Sequence, residues 1–417
     1  MRKKLTPDIP LFPLAGILCL FLLGLFSSGC SCSRKYSYPD KNLEKNLHDL
    51  LMKESGIDTL VKRNGDTLGI CFTVPKLYGS GRKTMPIVVD QFQDVMLCVR
   101  RVLMSTDSSV QFFQITVRGN DSGLEISMTR YVKDLKIFFL SCISLDDYSK
   151  RMVNNTYINL ASQGKERIQR FFEDWGTKKP EALAAAHFTQ GIFKNQDISS
   201  GFIASLWETT MKLNVKHEIL DLRMRAADDK TYLFFCRVRE TFDKKQGFQN
   251  FTFRNYSGMT QDFLIEISSV DYFRTLITKL YIKGEENTQW EYQKIEQTYG
   301  DPEQWRESDF FVINMNFKRF LAEQIAERIQ IILGNREKEE KTKTSFLPRL
   351  SEIRGSFEDG TIKLLFIYSD FKKDVDTEDK NVAMETTKNV FELYRYRECK
   401  SVMIGTLTGS LSTYPIG

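Results

Sequence analysis

The chain has 417 residues, of which 41% are hydrophobic and 27% charged, with a formal net charge of +5. That composition excludes a disordered or collagen-like chain, and the charge balance is too mild for a nucleic-acid binder. At about 100–200 residues per domain, the length predicts two or three domains.

Arg2, Lys3 and Lys4 precede an apolar run over residues 14–26, with Pro10 and Pro13 just upstream. A basic start followed by such a run is the pattern of an export signal. The run is shorter than the ~20 apolar residues a helix needs to cross a bilayer, so residues 1–29 read as a signal peptide. The stretch Leu25-Phe26-Ser27-Ser28-Gly29-Cys30 resembles the bacterial lipobox, with Ser27 where leucine is usual. Small residues there let the peptidase reach the backbone, and the thiol takes the lipid. The resemblance implies that Cys30 is diacylated and becomes the first mature residue, with Cys32 as a second candidate. It also implies a polar tether over residues 30–40 and a membrane held through the N-terminal lipid. By analogy with lipoprotein sorting, Ser31 after the cysteine points to the outer membrane facing the periplasm, the inner membrane being the alternative.

The first folded unit is expected over residues 41–153. Leu43, Leu47, Leu50 and Leu51 recur at helical spacing. Asn64-Gly65 then sits between two β-rich runs and predicts a tight hairpin. A helix with Phe92, Val95, Met96, Val99, Val102 and Leu103 on one face follows, then strands over 110–117 and 124–131 and an apolar stretch to Ile143.

Residues 154–300 differ in pattern. Ile168, Phe171, Phe172 and Trp175 form one helical stripe, 182–188 a second segment, and Phe202, Ile203, Leu206 and Met211 a third. Strands are predicted over 219–225, 232–241, 248–256, 263–268 and 276–282. This order, with QRFFEDWGTKKPEALAAAHF near its start, is similar over about 159–283 to the cone-shaped fold of the nuclear-transport-factor-2-like superfamily. The resemblance implies a curved sheet around helices, often with a pocket. Enzymes of that superfamily use an aspartate with a histidine or tyrosine, which points to Asp174, His187 and His217. The plainer readings are a helix-face histidine for His187 and an exposed strand-end residue for His217. Trp175 and Trp207 read as core anchors.

Residues 301–417 repeat the first order. Phe317, Phe320, Leu321, Ile325, Ile329, Ile332 and Leu333 line a helix, and REKEEKTKTS from Arg336 is a solvated linker or helix extension. A hairpin turns at Asp359-Gly360, and a helix over 382–394 and a strand over 402–407 come next. DTLGICF from Asp66 lines up with GTIKLLF from Gly360, the mark of a diverged internal repeat. Two unrelated units sharing a common order is the alternative.

Chemical motifs are few. In GSGRKT over 79–84, Arg82 separates Gly81 from Lys83, so the phosphate-loop pattern fails. Ser80 and Lys83, and Ser162 and Lys165, have S-x-x-K spacing without a K-T-G partner. Three histidines give no zinc pattern. Cys71, Cys98, Cys142 and Cys236 lie in apolar strings and read as buried small side chains; Cys399 does not, and one disulfide stays open. Arg223, Arg225, Arg237 and Arg239 follow period 2 and share a sheet face if the turn near Asp228-Asp229 pairs the apolar positions. That face either meets anionic headgroups or wall polymer, or is solvated beside Asp221 and Glu240.

The expectation is a multi-domain α+β protein, with small αββαβ modules flanking a central helices-then-curved-sheet domain. Its expected function is that of a membrane-anchored bacterial envelope lipoprotein with a non-catalytic binding or assembly role toward an envelope protein partner. The alternative is a ligand-binding or enzymatic pocket in the central unit. No catalytic residue, cofactor, metal or nucleic acid is expected.

Overall fold

The computed structural model describes residues 37–79, 84–121, 123–175, 177–189, 215–241, 259–271, 274–284, 289–341, 350–368, 373–407 and 409–416. Cys30 and Cys32, the S-x-x-K at Ser80, the helical stripe around Phe202 with Trp207, and the strand expected over 248–256 lie outside them. The described residues form a multi-domain α+β protein on three sheets.

In the N-terminal unit, α1 (Leu43–Ser55) buries Leu43, Leu47 and Leu51, the expected stripe. It stops at Gly56, whose φ of +64° is the left-handed cap that glycine adopts without a Cβ penalty. The hairpin of β1 (Thr59–Asn64) and β2 (Thr67–Val74) pairs Asn64 with Thr67, so Gly65 and Asp66 make the turn. The sequence reading placed that turn one residue early. Gly65 alone takes positive φ, as a two-residue hairpin with glycine first requires. Pro86 opens α2 (Pro86–Met104), the crossover that brings β3 (Phe112–Gly119) parallel to β2. Antiparallel β4 (Leu124–Tyr131) follows, then short helices α3 (Val132–Phe139) and α4 (Leu145–Ser149) and the edge strand β5 (Val153–Ile158). The sheet order is β1-β2-β3-β4-β5. Strand β5 completes this sheet, so the unit runs past residue 153.

The central unit opens with α5 (Leu160–Asp174) and α6 (Pro180–His187). An antiparallel meander follows: β6 (Lys216–Ala226), β7 (Thr231–Thr241), β8 (Met259–Asp271) and β9 (Arg274–Ile282). Register shifts at Ile219/Asp221, Glu266/Ile267 and Ser269/Asp271 bend these strands. Helix α5 buries Ile168, Phe171 and Phe172 against one sheet face. The other face carries Leu233, Phe235, Leu264 and Tyr281 and is covered by Trp305 and by Tyr292 of α7 (Gln289–Tyr299), a helix the sequence reading did not foresee.

The C-terminal unit consists of α8 (Phe317–Lys341), β10 (Leu350–Glu358), β11 (Thr361–Tyr368), α9 (Thr377–Tyr394), β12 (Ser401–Thr406) and β13 (Ser412–Pro415). Its hairpin turns at Asp359-Gly360, both at positive φ as a mirror-type turn demands. Sheet order β10-β11-β12-β13 pairs antiparallel, parallel, antiparallel, the same senses as β1 to β4. Thr67 and Thr361 each open the second strand. Among the described residues no helix is long and apolar enough to cross a membrane.

Candidate functional site

The central unit brings two of the three residues suggested by the superfamily resemblance together. Asp174 ends α5 and His187 ends α6, and the chain between them turns back so that His187 Nε2 lies 2.7 Å from Asp174 Oδ2. Lys178 Nζ reaches the same oxygen at 2.7 Å. Burial pushes the Asp174 carboxyl up, but the hydrogen bonds from Lys178 and His187 outweigh it and its pKa falls below the ordinary value. The His187 side chain is 2% exposed. Its burial lowers the imidazole pKa more than Asp174 raises it.

His217 opens β6 on the other side of the same aromatic group, its ring 5.5 Å from both Phe172 and Trp175. Its side chain is 2% exposed, against the expectation of an exposed strand end, because the two rings cover it. It lies 3.5 Å from Glu240 opposite, too far for a strong hydrogen bond. Trp175 Nε1, His187 Nδ1 and His217 Nδ1 are buried without a hydrogen-bond partner. Rings occupy the space between helix and sheet. Phe171, Phe172 and Trp175 pack at centroid distances of 4.9–5.9 Å, Phe263 sits 5.3 Å from Phe172, and Phe188 closes over Phe171. A Cβ added at Gly164 of α5 would lie 2.3 Å from the Phe234 ring. Helix and sheet touch there with no room for a ligand.

The densest chemistry lies where the units meet. Residues 305–316, grouped with the C-terminal unit in the sequence reading, form an extended strap across the face of the N-terminal sheet that α1 and α2 leave open. Phe310 and Val312 pack on Cys71, and Ile313 and Met315 on Phe112. Arg306 makes one antiparallel bridge to Met224 of β6; from Phe310 to Met315 the strap pairs with no described strand, and side chains take its backbone groups. Tyr232 Oη, Gln114 Oε1 and Thr67 Oγ1 accept from the N–H groups of Phe311, Ile313 and Met315 at 3.0–3.2 Å. Lys62, Gln114 and Asn64 donate to the carbonyls of Phe310, Phe311 and Val312. This covering explains why all eight residues of β3 are buried.

Asp309 anchors the strap. Its carboxylate takes Lys62 Nζ at 3.0 Å and the backbone N–H of Ala226 at 3.0 Å, while its carbonyl accepts from Arg118 at 2.6 Å. Arg118 also pairs with Glu125 at 2.9 Å, each side chain 5% exposed, and donates to Tyr232. One buried group thereby links β1, β3, β6 and β7. Burial lowers the Lys62 pKa, with Asp309 opposing, and pushes the Cys71 thiol up to about 12, away from thiolate chemistry.

A second junction joins the N- and C-terminal units. Arg151 pairs with Asp134 at 3.0 Å, donates to the carbonyl of Leu393 at 2.8 Å and lies over the Tyr394 ring. Glu327 of α8 accepts from both the backbone and side-chain nitrogens of Asn154, which closes the β5 edge. Gln324 donates to the carbonyls of Lys150 and Met152.

Arg223, Arg225, Arg237 and Arg239 share one face of the central sheet, because the register pairs Met224 with Phe234 and Leu222 with Cys236. Three of them are held by carboxylates: Arg223 by Asp221, Arg237 by Asp262 and Glu303, and Arg239 by Glu218. Arg225 is exposed. Ser162 is exposed in the first turn of α5. Cys71, Cys98, Cys236 and Cys399 are buried and free; Cys142 is free but exposed, in the turn after α3 rather than in a core. Among the described residues no group of three or more His, Cys, Asp or Glu is placed to hold a metal. Sequence reasoning missed the strap and both junctions; the one available signal was DFFVINMNF from Asp309, an apolar run with a single leading carboxylate.

No protein-family model matches the chain, and no curated protein matches it.

Proposed function

We propose that this chain is a lipid-anchored envelope protein that acts by binding or assembly, without catalysis, as one body built of three joined units. The observation that carries the non-catalytic part is where the ionisable side chains sit. Lys62, Arg118 and Arg151 reach across boundaries between units, to the Asp309 carboxylate and to the carbonyls of Asp309 and Leu393, and Glu125 and Asp134 pair with these arginines within the N-terminal unit. Among the described residues of the central unit, His187 packs against the Phe171 ring, and Phe188 closes on the same ring. The anchoring part rests on the lipobox resemblance at Cys30, and assignment to the outer membrane rests on Ser31. The partner is an envelope protein. The shared strand order of the first and last units supports reading them as a diverged repeat.

A ligand-binding central unit is the second reading. It is favoured by the Asp174–His187 contact and by the three unpartnered buried nitrogens beside it.

Growth with a palmitate analogue tests the anchor, comparing the wild-type chain with Cys30→Ala and fractionating both. The expected result is label on the wild type alone, with the variant released or held as precursor. An unlabelled wild type overturns the anchor.

A further inference from the structure

Beside the ends of α1, α2 and α3 lies an open groove of about 510 Å³, lined by residues that include Leu97, Arg100, Met104, Ser105 and Phe139. Leu97 and Phe139 are 51% and 53% exposed, and Leu140, next in the chain, is 68% exposed. Phe138 beside them stacks on Tyr148 at 4.4 Å in the core, so α3 presents one ring inward and the next outward. Lys133 and Lys136 are exposed on the same helical face as Leu140, and Arg100 lies over the Phe139 ring at 5.3 Å. The acidic groups on the groove are Glu54, paired with Arg101, and Asp94. Apolar tips fringed by cations are the chemistry of a surface that meets a bilayer interface.

The place where the described chain begins decides the occupant. The Tyr38 N–H donates to the carbonyl of Ser105 at 3.2 Å, and Tyr38 bridges to Thr106. Ser105 lines the groove, so Tyr38, eight positions after Cys30, is held at the groove's rim. The seven residues 31–37 span at most about 25 Å when extended. We propose that this face docks on the membrane. Phe139, Leu140 and Leu97 enter the interfacial layer, and Arg100, Lys133 and Lys136 meet anionic headgroups. The proposal rests on the reading of Cys30 as the lipid anchor, which fixes the bilayer within tether reach of Ser105. A short tether and a docking face together hold the body in one orientation, with the C-terminal unit free for a partner.

The test uses the full chain, purified from membranes and placed in phosphatidylethanolamine–phosphatidylglycerol vesicles with plain or brominated acyl chains. Phe139→Trp and Leu140→Trp each add an emitter on the face; Leu407→Trp adds one at an exposed position of the C-terminal unit. The expected result is at least a twofold loss of the added emission at 139 and 140 in brominated lipid, with none at 407. Absence of quenching at both positions overturns the docking face. If sedimentation then shows a dimer that Phe139→Glu dissolves, the face binds a second copy instead, which also overturns the proposal. Palmitate labelling of the same samples reports on the anchor separately. Label without quenching leaves the anchor standing and removes the docking face, and quenching without label does the reverse.

Discussion

His187 shows how burial sets a side chain's chemistry. Its imidazole is held below the ordinary pKa of 6.5 by desolvation, with Asp174 opposing. The unfolded chain therefore binds that proton first as pH falls, so the stability linked to His187 is intact above about pH 6.5 and is lost below it. Melting temperatures from pH 8 to pH 5 should decline through the lower part of that range, and His187→Gln should flatten the decline. A slope unchanged by the substitution would assign the loss to other groups. Arg118 and Glu125 illustrate the opposite case, a buried pair in which both members are charged. Arg118→Ala leaves Glu125 unpaired in the interior and is expected to cost about 3–5 kcal/mol. The double variant Arg118→Met with Glu125→Leu should cost less, as urea midpoints of the three chains would show. The Asp174–His187 contact was legible only through the superfamily resemblance, because the two stand thirteen positions apart across a helix break. The shared arginine face was legible from period 2 only on the condition that the turn pairs the apolar positions, which the register of Met224 with Phe234 and Leu222 with Cys236 meets.

The elements whose spacing matches their environment were legible. Helix α1 and helix α2 lie where the apolar pattern puts them, because each has one buried face, and strand β4 lies where expected although it is buried on both faces from Ser127 to Arg130. The strap was not, for a physical reason. Its apolar residues face two neighbours at once, and its backbone is satisfied by Gln114, Thr67, Asn64 and Tyr232 rather than by a ladder. No local pattern in residues 305–316 encodes partners up to 248 positions away. Gly69 lies directly beneath it, since an added Cβ would lie 2.3 Å from the Val312 side chain and 3.0 Å from the Phe310 ring. Gly69→Val should lift the strap, cost about 1–3 kcal/mol, and speed hydrogen exchange at the Phe311, Ile313 and Met315 amides. Exchange there that stays as slow as in the wild type would mean that the strap is not held as described.

Across the whole molecule, two of the buried charged clusters reach over a boundary between units. Asp309 joins the N-terminal sheet to the central sheet, and Arg151 with Glu327 joins the N-terminal sheet to α8 and α9. The sequence separated three units because their hydrophobic periods differ, but it could not show that they are coupled, since each junction pairs residues more than 80 positions apart. A chain whose ionisable groups serve these junctions should unfold as one body. The direct test is scanning calorimetry of the full chain beside Asp309→Ala, which removes the group shared by Lys62 and Ala226. One transition in the wild type that separates into two in the variant is the predicted result; separate transitions already present in the wild type would contradict the account.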